Sequence, residues 1–406
     1  MGALSKIQKV IIMFTRRKRG VIFLRKKIVF ITATRADYGK LKSILIEIEK
    51  NKNFDCYVYI TGMHMLDKYG ATYKEVLQSD FENVYMIENQ DDSGQNMADI
   101  TASTMENFTA YINEINPNLI VVHGDRLEAL AAAIAGAFNN IMVAHIEGGE
   151  VTGTIDESIR HAITKFSHIH LVANDDAKMR VIQLGERAES VFVIGSPDID
   201  IMLQENLRPL AEVKKYYEID FIEYGILMFH PVTTEYQQTK RDVDAVIAAV
   251  KQSNKNYIVI YPNNDLGSDI IIEAYKEQLL GDPRFRIFPS IKFESFLVLM
   301  KNSSFVIGNS SAGIREASYY NIPAIDIGTR QEGRYDEKKS PNIFHVKAET
   351  AMILEQVDLI QAYKNCVQNP QMPTFGDGKS KELFIELLER EDFWQIPIQK
   401  KFIDFH

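Results

Sequence analysis

Three carboxylates of this 406-residue sequence stand where predicted parallel strands end or where the next helix begins. Asp125 closely follows the apolar run Leu119–Val122, Glu147 directly follows the run Met142–Ile146, and Asp156 opens the next predicted helix. Ligands of open α/β sheets bind beyond the carboxyl ends of the strands, so we expect the three side chains on one rim of the first half. Carboxylates grouped in this way suit acid–base chemistry on a sugar.

Simpler interpretations of these carboxylates stay open at this point. Asp125 would then form only an ion pair with its neighbour Arg126, which contributes little at a protein surface. Asp156 would only cap the helix that it opens. Polar residues recur after nearly every predicted strand, however, and this recurrence favours a binding cleft over a chance arrangement of surface charge.

A glycine- and serine-rich loop, Gly308–Gly313, follows the predicted strand Ser304–Ile307 and precedes a helical stretch over Ile314–Tyr320. The backbone N–H groups and the hydroxyls of Ser310 and Ser311 would therefore face a helix N-terminus, which is a ready site for a diphosphate. An ordinary serine cap is the alternative interpretation. The loop is neither a Walker A sequence nor the dinucleotide fingerprint.

Other candidate ligand-binding side chains follow the remaining strands. Glu316 lies one turn inside the predicted helix and is placed to accept hydrogen bonds from ribose hydroxyls. Arg35 and Arg330 are suited to neutralising phosphate charge, because the guanidinium group binds phosphate through two hydrogen bonds. Further polar side chains at strand ends are His64, His230 and Asn263.

Apolar runs alternate with amphipathic helical stretches from Lys27 onward, and this alternation predicts parallel strands buried on both faces. The predicted strands are Lys27–Ala33, Tyr57–Ile60, Leu119–Val122, Met142–Ile146 and Leu171–Val172, then Tyr224–Phe229, Tyr257–Tyr261, Phe285–Phe288, Ser304–Ile307 and Ala324–Ile327. A polar stretch near 206–224 separates the two series. The predicted fold is therefore α/β with two Rossmann-like domains.

The predicted domain limits follow from this alternation. Residues 1–26 form a basic leader, 27–205 an N-terminal Rossmann-like domain with the carboxylates, and 206–378 a C-terminal Rossmann-like domain. The segment 379–406 is predicted to be a helix over Lys379–Phe405, which carries the single tryptophan, Trp394, and packs back across the joint.

Charge is distributed unevenly along the chain. Residues 1–27 carry nine lysines and arginines and no acid, which leaves −18 for the rest because the whole chain carries −9. An acidic body argues against nucleic-acid binding. Arg16–Arg19 interrupts the apolar residues of the leader, so we expect neither a signal peptide nor a membrane span. A segment upstream of the folded protein is favoured over one that lies on an anionic membrane surface.

The two cysteines, Cys56 and Cys366, stand in apolar runs far apart and lack metal-ligand spacing. We expect two reduced, buried thiols, no metal site and a cytoplasmic location.

Longer strings around these residues resemble one family. They are TRADYGKL (34–41), TGMHM (61–65), HGDRLEALA (123–131), HIEGGEVTGTIDESIRHAITK (145–165), GSPDID (195–200), HPVTTE (230–235), GNSSAGIRE (308–316) and GTRQ (328–331). Together they resemble the hydrolysing UDP-N-acetylglucosamine 2-epimerases of bacterial sialic-acid and capsule biosynthesis, from about Lys27 to the C-terminus.

The resemblance implies a GT-B fold, with two parallel sheets facing across a cleft and UDP bound in the C-terminal domain. It also implies no cofactor or metal, and a homodimer or homotetramer. The implied reaction converts UDP-N-acetylglucosamine and water to N-acetylmannosamine and UDP through 2-acetamidoglucal. By this likeness Asp125, Glu147 and Asp156 are catalytic carboxylates, and His64 lies near the reacting sugar. The implied UDP-sugar contacts are Arg35, Arg126, His230, Asn263, Ser310, Ser311, Glu316 and Arg330.

Two strings separate this chain from the non-hydrolysing epimerases. Those enzymes carry TRPE and HVEAG where this chain has Thr34–Asp37 and His145–Gly149. Three alternatives remain: a hydrolysing epimerase acting on a GDP-linked diacetamido sugar, a GT-B glycosyltransferase, and a nucleotide-sugar sensor without turnover.

Overall fold

The computed structural model describes residues 25–90, 96–152, 154–204, 206–335, 338, 340–363, 375–401 and 403. These residues fall into two compact units. The first unit draws on Met1–Glu150, Ile159–Ile201 and Phe375–His406, and the second on Val151–Ser158 and Met202–Thr374. Apart from Arg25 and Lys26, the predicted leader lies outside the described residues, as does Cys366.

The first unit is built on a seven-stranded parallel sheet in the order β3-β2-β1-β4-β5-β6-β7. Its strands are β1 (Lys26–Thr32), β2 (Phe54–Ile60), β3 (Asn83–Met86), β4 (Leu119–His123), β5 (Met142–Ile146), β6 (Ile169–Val172) and β7 (Val191–Val193). This is the strand order of a doubly wound nucleotide-binding fold with one added strand.

The second unit has a six-stranded parallel sheet in the order β10-β9-β8-β11-β12-β13. Its strands are β8 (Gly225–Met228), β9 (Tyr257–Ile260), β10 (Phe285–Phe288), β11 (Phe305–Gly308), β12 (Ala324–Ile327) and β13 (Ile343–Val346). The predicted fold class, α/β with two Rossmann-like parallel sheets, is confirmed.

Helices connect successive strands in both units. They are α1 (Arg35–Lys50), α2 (Tyr73–Leu77), α3 (Met97–Ile115), α4 (Leu127–Phe138), α5 (Ile155–Phe166), α6 (Asp175–Gln183), α7 (Pro197–Met202), α8 (Leu210–Tyr216), α9 (Thr239–Gln252), α10 (Ser268–Gln278), α11 (Phe293–Lys301), α12 (Ser311–Ile314), α13 (Glu316–Tyr319), α14 (Thr350–Tyr363) and α15 (Ser380–Glu389). No helix of the described part is both long and apolar enough to cross a membrane.

Strand β1 shows why the apolar runs are continuous. Ile28 and Phe30 pack on one face of the first sheet with α1 and α15. Val29 and Ile31 pack on the other face with α3 and α4. Successive side chains of a strand point to opposite faces, so a strand covered on both sides must be apolar at every position. Each such buried side chain contributes roughly 1.5–3 kcal/mol.

The C-terminal segment differs from its prediction. Helix α15 ends at Glu389, and Trp394 lies in a separate 3-10 turn, Asp392–Gln395, so the single helix predicted over Lys379–Phe405 was wrong. Pro397 explains part of the difference, since proline drives the preceding residue to extended backbone, and Ile396 has φ −58° and ψ 126°. Residues 402 and 404–406 lie outside the described part.

The residues after α15 are tied to the first unit. Lys400 donates to the carbonyl oxygens of Thr164, Lys165 and Ser167, at 3.2, 2.9 and 2.7 Å. These carbonyls belong to the end of α5, where a lysine both satisfies free acceptors and complements the helix dipole.

Candidate active site

Glu147 is the centre of a buried cluster in the first unit. It follows β5 with a positive φ of 64°, which a non-glycine residue adopts only when its surroundings enforce it. The Ser196 hydroxyl donates to its Oε1. His123 Nε2 lies 3.3 Å from its Oε2, and Lys40 Nζ lies 3.8 Å from the same oxygen. The side chain is 4% exposed, so these neighbours rather than water solvate the carboxylate.

Arg160 joins Glu147 to Asp125. Its guanidinium group donates to Asp125 Oδ2 and, at 2.6 Å, to the backbone oxygen of Glu147. Asp125 follows β4 and Glu147 follows the neighbouring β5, so the two strands and one arginine bring these residues together. Asp125 therefore has a buried arginine partner in Arg160 and is more than a surface ion pair with its neighbour. Arg126 Nε lies 3.8 Å from Glu128 Oε2.

His145 positions the backbone that leads from β4 to Asp125. Burial lowers its pKa to about 3, so the imidazole is neutral near pH 7. Its Nε2 donates to the carbonyl oxygen of Gly124 at 2.8 Å, and the Thr164 hydroxyl lies 3.1 Å from Nδ1. The residue therefore fixes the backbone directly before Asp125.

His64 is fully buried in the first unit. Its ring nitrogens lie 3.0 Å from the Thr32 hydroxyl and 2.6 Å from the Thr72 hydroxyl. Burial lowers its pKa to about 4, against the opposing effect of Asp37 at 3.9 Å. A neutral imidazole held at both nitrogens orients the segments around it, and its predicted catalytic role stays a prediction.

Arg35 begins α1, directly after a capping box formed by Thr34 and Asp37. Its Nε lies 2.9 Å from Glu75 Oε2, and its side chain is only partly buried. The cap sets the position of Arg35 at the end of β1, and its role in neutralising phosphate stays a prediction.

In the second unit, Asn309 organises the polar residues. Its side-chain oxygen accepts from the backbone N–H of His230 at 2.7 Å, and its amide donates to the His230 carbonyl at 2.9 Å. Its own carbonyl accepts from Arg330 at 3.1 Å and from Gln331 at 2.6 Å. One asparagine therefore holds the ends of β8, β11 and β12 together.

His230 and Asn263, both predicted site residues, lie in contact, and their role in binding stays a prediction. The backbone N–H of Asn263 donates to His230 Nδ1 at 3.2 Å. The Asn263 side-chain amide donates to Asp265. His230 Nδ1 also lies 3.2 Å from Asn263 Oδ1, so both the backbone and the side chain of Asn263 contact this ring nitrogen.

The last residue of β11 must be glycine. Gly308 has φ +132°, and a Cβ there would stand 1.9 Å from the carbonyl oxygen of Met228. Ser310 caps the following turn by accepting from the N–H of Ala312 at 3.3 Å. The ordinary serine cap, left open above, is therefore present.

The continuous helix predicted over Ile314–Tyr320 was wrong. The structure has two four-residue helices, α12 and α13, separated at Arg315. Arg315 has φ −92° and ψ −72°, away from regular helical values. Ser311 begins α12 and the buried Glu316 begins α13, so each stands at the start of a single turn.

Asp156 belongs to the second unit, together with Arg330. Its carboxylate lies 3.7 Å from the Arg330 guanidinium group, and its backbone N–H lies 3.3 Å from the Thr154 hydroxyl. Asp125 and Glu147 thus stand in the first unit, and Asp156 stands beside an arginine of the second. The expected grouping of all three carboxylates stays a prediction.

Several residues of these clusters were not among the predicted site residues. They are Lys40, His123, Arg160, Ser196, Asn309 and Gln331. Each lies inside one of the strings quoted above, so the signal was present, but only three-dimensional contacts single these side chains out. No three His, Cys, Asp or Glu side chains of the described ranges are grouped so as to hold a metal ion.

Comparison with known proteins decides the family. The family model described as UDP-N-acetylglucosamine 2-epimerase matches residues 46–389. A protein named UDP-N-acetylglucosamine 2-epimerase, from Neisseria meningitidis serogroup B, is 44% identical over 385 residues, which cover 94% of this chain and 100% of that protein. The chain belongs to the UDP-N-acetylglucosamine 2-epimerase family. The family predicted from the strings is confirmed.

Two further similarities extend this result. A Legionella pneumophila protein named UDP-N,N'-diacetylbacillosamine 2-epimerase (hydrolyzing) is 33% identical, over 90% of this chain and 96% of that protein. The crystal structure of Methanocaldococcus jannaschii UDP-GlcNAc 2-epimerase in complex with UDP-GlcNAc and UDP has a TM-score of 0.75 at 21% identity. It covers 89% of this chain and 99% of its own, and it supports the fold of this epimerase-family chain.

Proposed function

We propose that this epimerase-family chain is a hydrolysing enzyme that converts UDP-N-acetylglucosamine and water to N-acetylmannosamine and UDP. The observation that carries the proposal is the pairing of Asp125 and Glu147, at the ends of adjacent strands, through Arg160. Two fixed carboxylates at one sheet edge suit the removal and return of a proton. Asp156, near Arg330, supplies the third carboxylate.

The proposed reaction has two steps. In the first, a carboxylate takes the proton from C2 while the bond between C1 and the UDP oxygen breaks, which leaves a C1=C2 double bond in 2-acetamidoglucal. In the second, an acid returns a proton to the opposite face of C2 while water bonds to C1 through its oxygen and gives one proton to a carboxylate. Three proton-handling tasks explain the need for three carboxylates.

We assign proton transfer chiefly to Asp125 and Glu147 of the first unit, with Asp156 of the second, and nucleotide binding chiefly to the second unit. The departing UDP carries negative charge, and arginines stabilise such charge. In the second unit, Arg330 donates a hydrogen bond to the backbone oxygen of Asn309. Asn309 itself directly follows Gly308, the last residue of β11. His230, Asn263, Ser310, Ser311 and Glu316 belong to the same proposed nucleotide site, as do Arg35 and Arg126 of the first unit.

The hydrolysing branch is supported by two observations. The strings at Thr34–Asp37 and His145–Gly149 follow the hydrolysing pattern. The Legionella relative, whose name includes the word hydrolyzing, is 33% identical to this chain. The same relative favours a second candidate substrate, a UDP-linked diacetamido sugar, ahead of the GDP-linked sugar considered above.

The decisive experiment is a product assay by NMR with UDP-N-acetylglucosamine as the sole sugar. We expect UDP and free N-acetylmannosamine, with deuterium at C2 when the reaction runs in D₂O. A parallel reaction with a UDP-linked diacetamido sugar compares the two substrates. Release of UDP only when an acceptor is added would identify a glycosyltransferase instead, and binding without turnover would identify a sensor.

We further propose a cytoplasmic homodimer or homotetramer whose product feeds sialic-acid synthesis. The support is the resemblance of the quoted strings to that branch. Light scattering coupled to size exclusion measures the assembly, and a single monomeric mass would contradict this part of the proposal.

A further inference from the structure

Lys40 lies between two buried carboxylates of the first unit. Its Nζ is 3.2 Å from Asp198 Oδ2 and 3.8 Å from Glu147 Oε2. The side chains of Asp198 and Glu147 are only 1% and 4% exposed. Helix α1 supplies the lysine and α7 supplies Asp198, so two separate helices converge on the residue after β5. One cation thus serves two anions in a place that water hardly reaches.

We propose that Lys40 and Asp198 are positioning residues that together set how readily Glu147 binds a proton, with Asp198 acting through Lys40. The inference rests on the proposed function, because Glu147 is one of the carboxylates assigned to proton transfer there.

The physical reason is competition for one positive charge. An ammonium group within about 4–6 Å favours the ionised form of a carboxylate. Burial keeps this attraction strong, because neither water nor salt screens it well. A carboxylate held too firmly in its ionised form is a weak base, and proton transfer works best when the group is poised near the working pH. Asp198 draws Lys40 away and so preserves the basicity of Glu147.

Other groups around Glu147 are the same in every variant of the test. His123 faces its Oε2 and the Ser196 hydroxyl donates to its Oε1. Arg160 donates to its backbone oxygen and pairs with Asp125. Because these contacts remain, a change in the proton affinity of Glu147 on altering Lys40 or Asp198 reports on that pair.

The test compares K40M, D198N and the charge-preserving K40R in the full chain. K240M is the matched control, since Lys240 pairs with Asp244 on an exposed helix surface of the second unit. The carboxyl carbon of Glu147, labelled with ¹³C and assigned by its absence in E147Q, is followed by NMR through a pH titration. The pH dependence of kcat/KM is measured on the same samples.

We expect opposite shifts. The titration midpoint of Glu147 rises by about one to three pH units in K40M, because a nearby cation is lost. It falls in D198N, by less, because the charge of Lys40 is then no longer shared with Asp198. K40R stays near the wild type, and K240M is unchanged. The limb of the pH–rate profile that Glu147 governs moves in the same two directions.

Shifts of the same sign in K40M and D198N, or lost activity with an unmoved midpoint, would overturn the inference. If K40M does not fold, the downward shift in D198N still decides. The NMR titration needs no turnover, so a wild-type protein that fails the product assay sinks the proposed function without deciding this inference.

Discussion

The two polar clusters, one in each unit, differ in the chemical groups that hold them together. The cluster of the first unit consists of charged side chains, in which Arg160 and Lys40 hold the carboxylates of Asp125 and Glu147. The cluster of the second unit depends on Asn309, whose amide and carbonyl groups bind the backbone of His230 and the side chain of Arg330.

This difference matches the tasks proposed for the two units. Proton transfer needs groups that change charge, and such groups must be buried with partners. Nucleotide binding needs donors in fixed places, which backbone and amide groups provide without titrating. Changes in the first cluster should therefore alter kcat, and changes in the second should mainly alter affinity for the nucleotide.

The largest effect is expected for E147Q and D125N. Each change removes an ionisable group while keeping its shape, so we expect kcat to fall by about 10²–10⁴ with UDP affinity retained. Steady-state kinetics and calorimetric UDP titration measure the two quantities. Weakened UDP binding with preserved kcat in either variant would break the assignment of catalysis to the first unit.

A backbone change tests the frame of the second cluster. G308A places a Cβ 1.9 Å from the Met228 carbonyl oxygen, at φ +132°. We expect a loss of more than about 3 kcal/mol in the free energy of unfolding, because β8 and β11 must separate. The control is G281A in the same unit, where φ is +89° but nothing stands within 4 Å of the added atom. Urea denaturation should show a loss of only about 1–2 kcal/mol there.

Acidic pH should lower the stability of the first unit. Burial lowers the pKa of His64 to about 4 and of His145 to about 3. Unfolded histidines take up a proton near pH 6.5 and these folded ones do not, so their contribution is complete above pH 6.5 and declines as pH falls towards 4. Between pH 6.5 and 5 we expect about 1.5 kcal/mol lost per histidine.

Hydrogen exchange at pH 7 and pH 5, corrected for intrinsic rates, resolves this loss along the chain. Protection should decrease in β1, β2 and β5, and H64Q should reduce the pH dependence. His168 and His170, whose pKa values burial also lowers, belong to the same unit and add to the effect. Equal losses confined to the second unit would contradict the explanation.

The smallest effect is expected for N309A. The change removes the two hydrogen bonds to the His230 backbone, each worth about 0.5–1.5 kcal/mol. We expect UDP affinity to fall by about tenfold while kcat changes less, which calorimetry and kinetics can separate. N302A, at the exposed residue that directly follows α11, serves as the control. A larger fall in kcat than in affinity would contradict the assignment of nucleotide binding to the second unit.

Much of the fold was readable from the sequence. The ten predicted strands correspond to strands of the structure, because each contains a run of mostly apolar residues. Strands β3, β7 and β13 were missed. They are short, and Asn83–Met86 is only half-buried throughout, so its residues carry little apolar signal.

The site was predicted less completely. Asp125 and Glu147 follow strands and could be recognised from position alone. Arg160 lies mid-helix and reaches back over 35 residues to Asp125, so no local pattern indicates its partner. Asn309 was passed over because the neighbouring serines fit a phosphate loop, while its amide binds a strand end 79 residues away. Contacts between distant segments are what the linear pattern lacks.

The return of the chain to its first unit has a consequence for synthesis. Phe384, Leu387 and Phe393 cover the same apolar face as Ile28 and Phe30. These three covering residues are synthesised only after the intervening residues 202–374 have been made. At about 5–20 residues per second, that takes roughly 10–35 s. During this time the nascent first unit exposes an unfinished apolar surface, so chaperone demand and sensitivity to C-terminal truncation should both concentrate there.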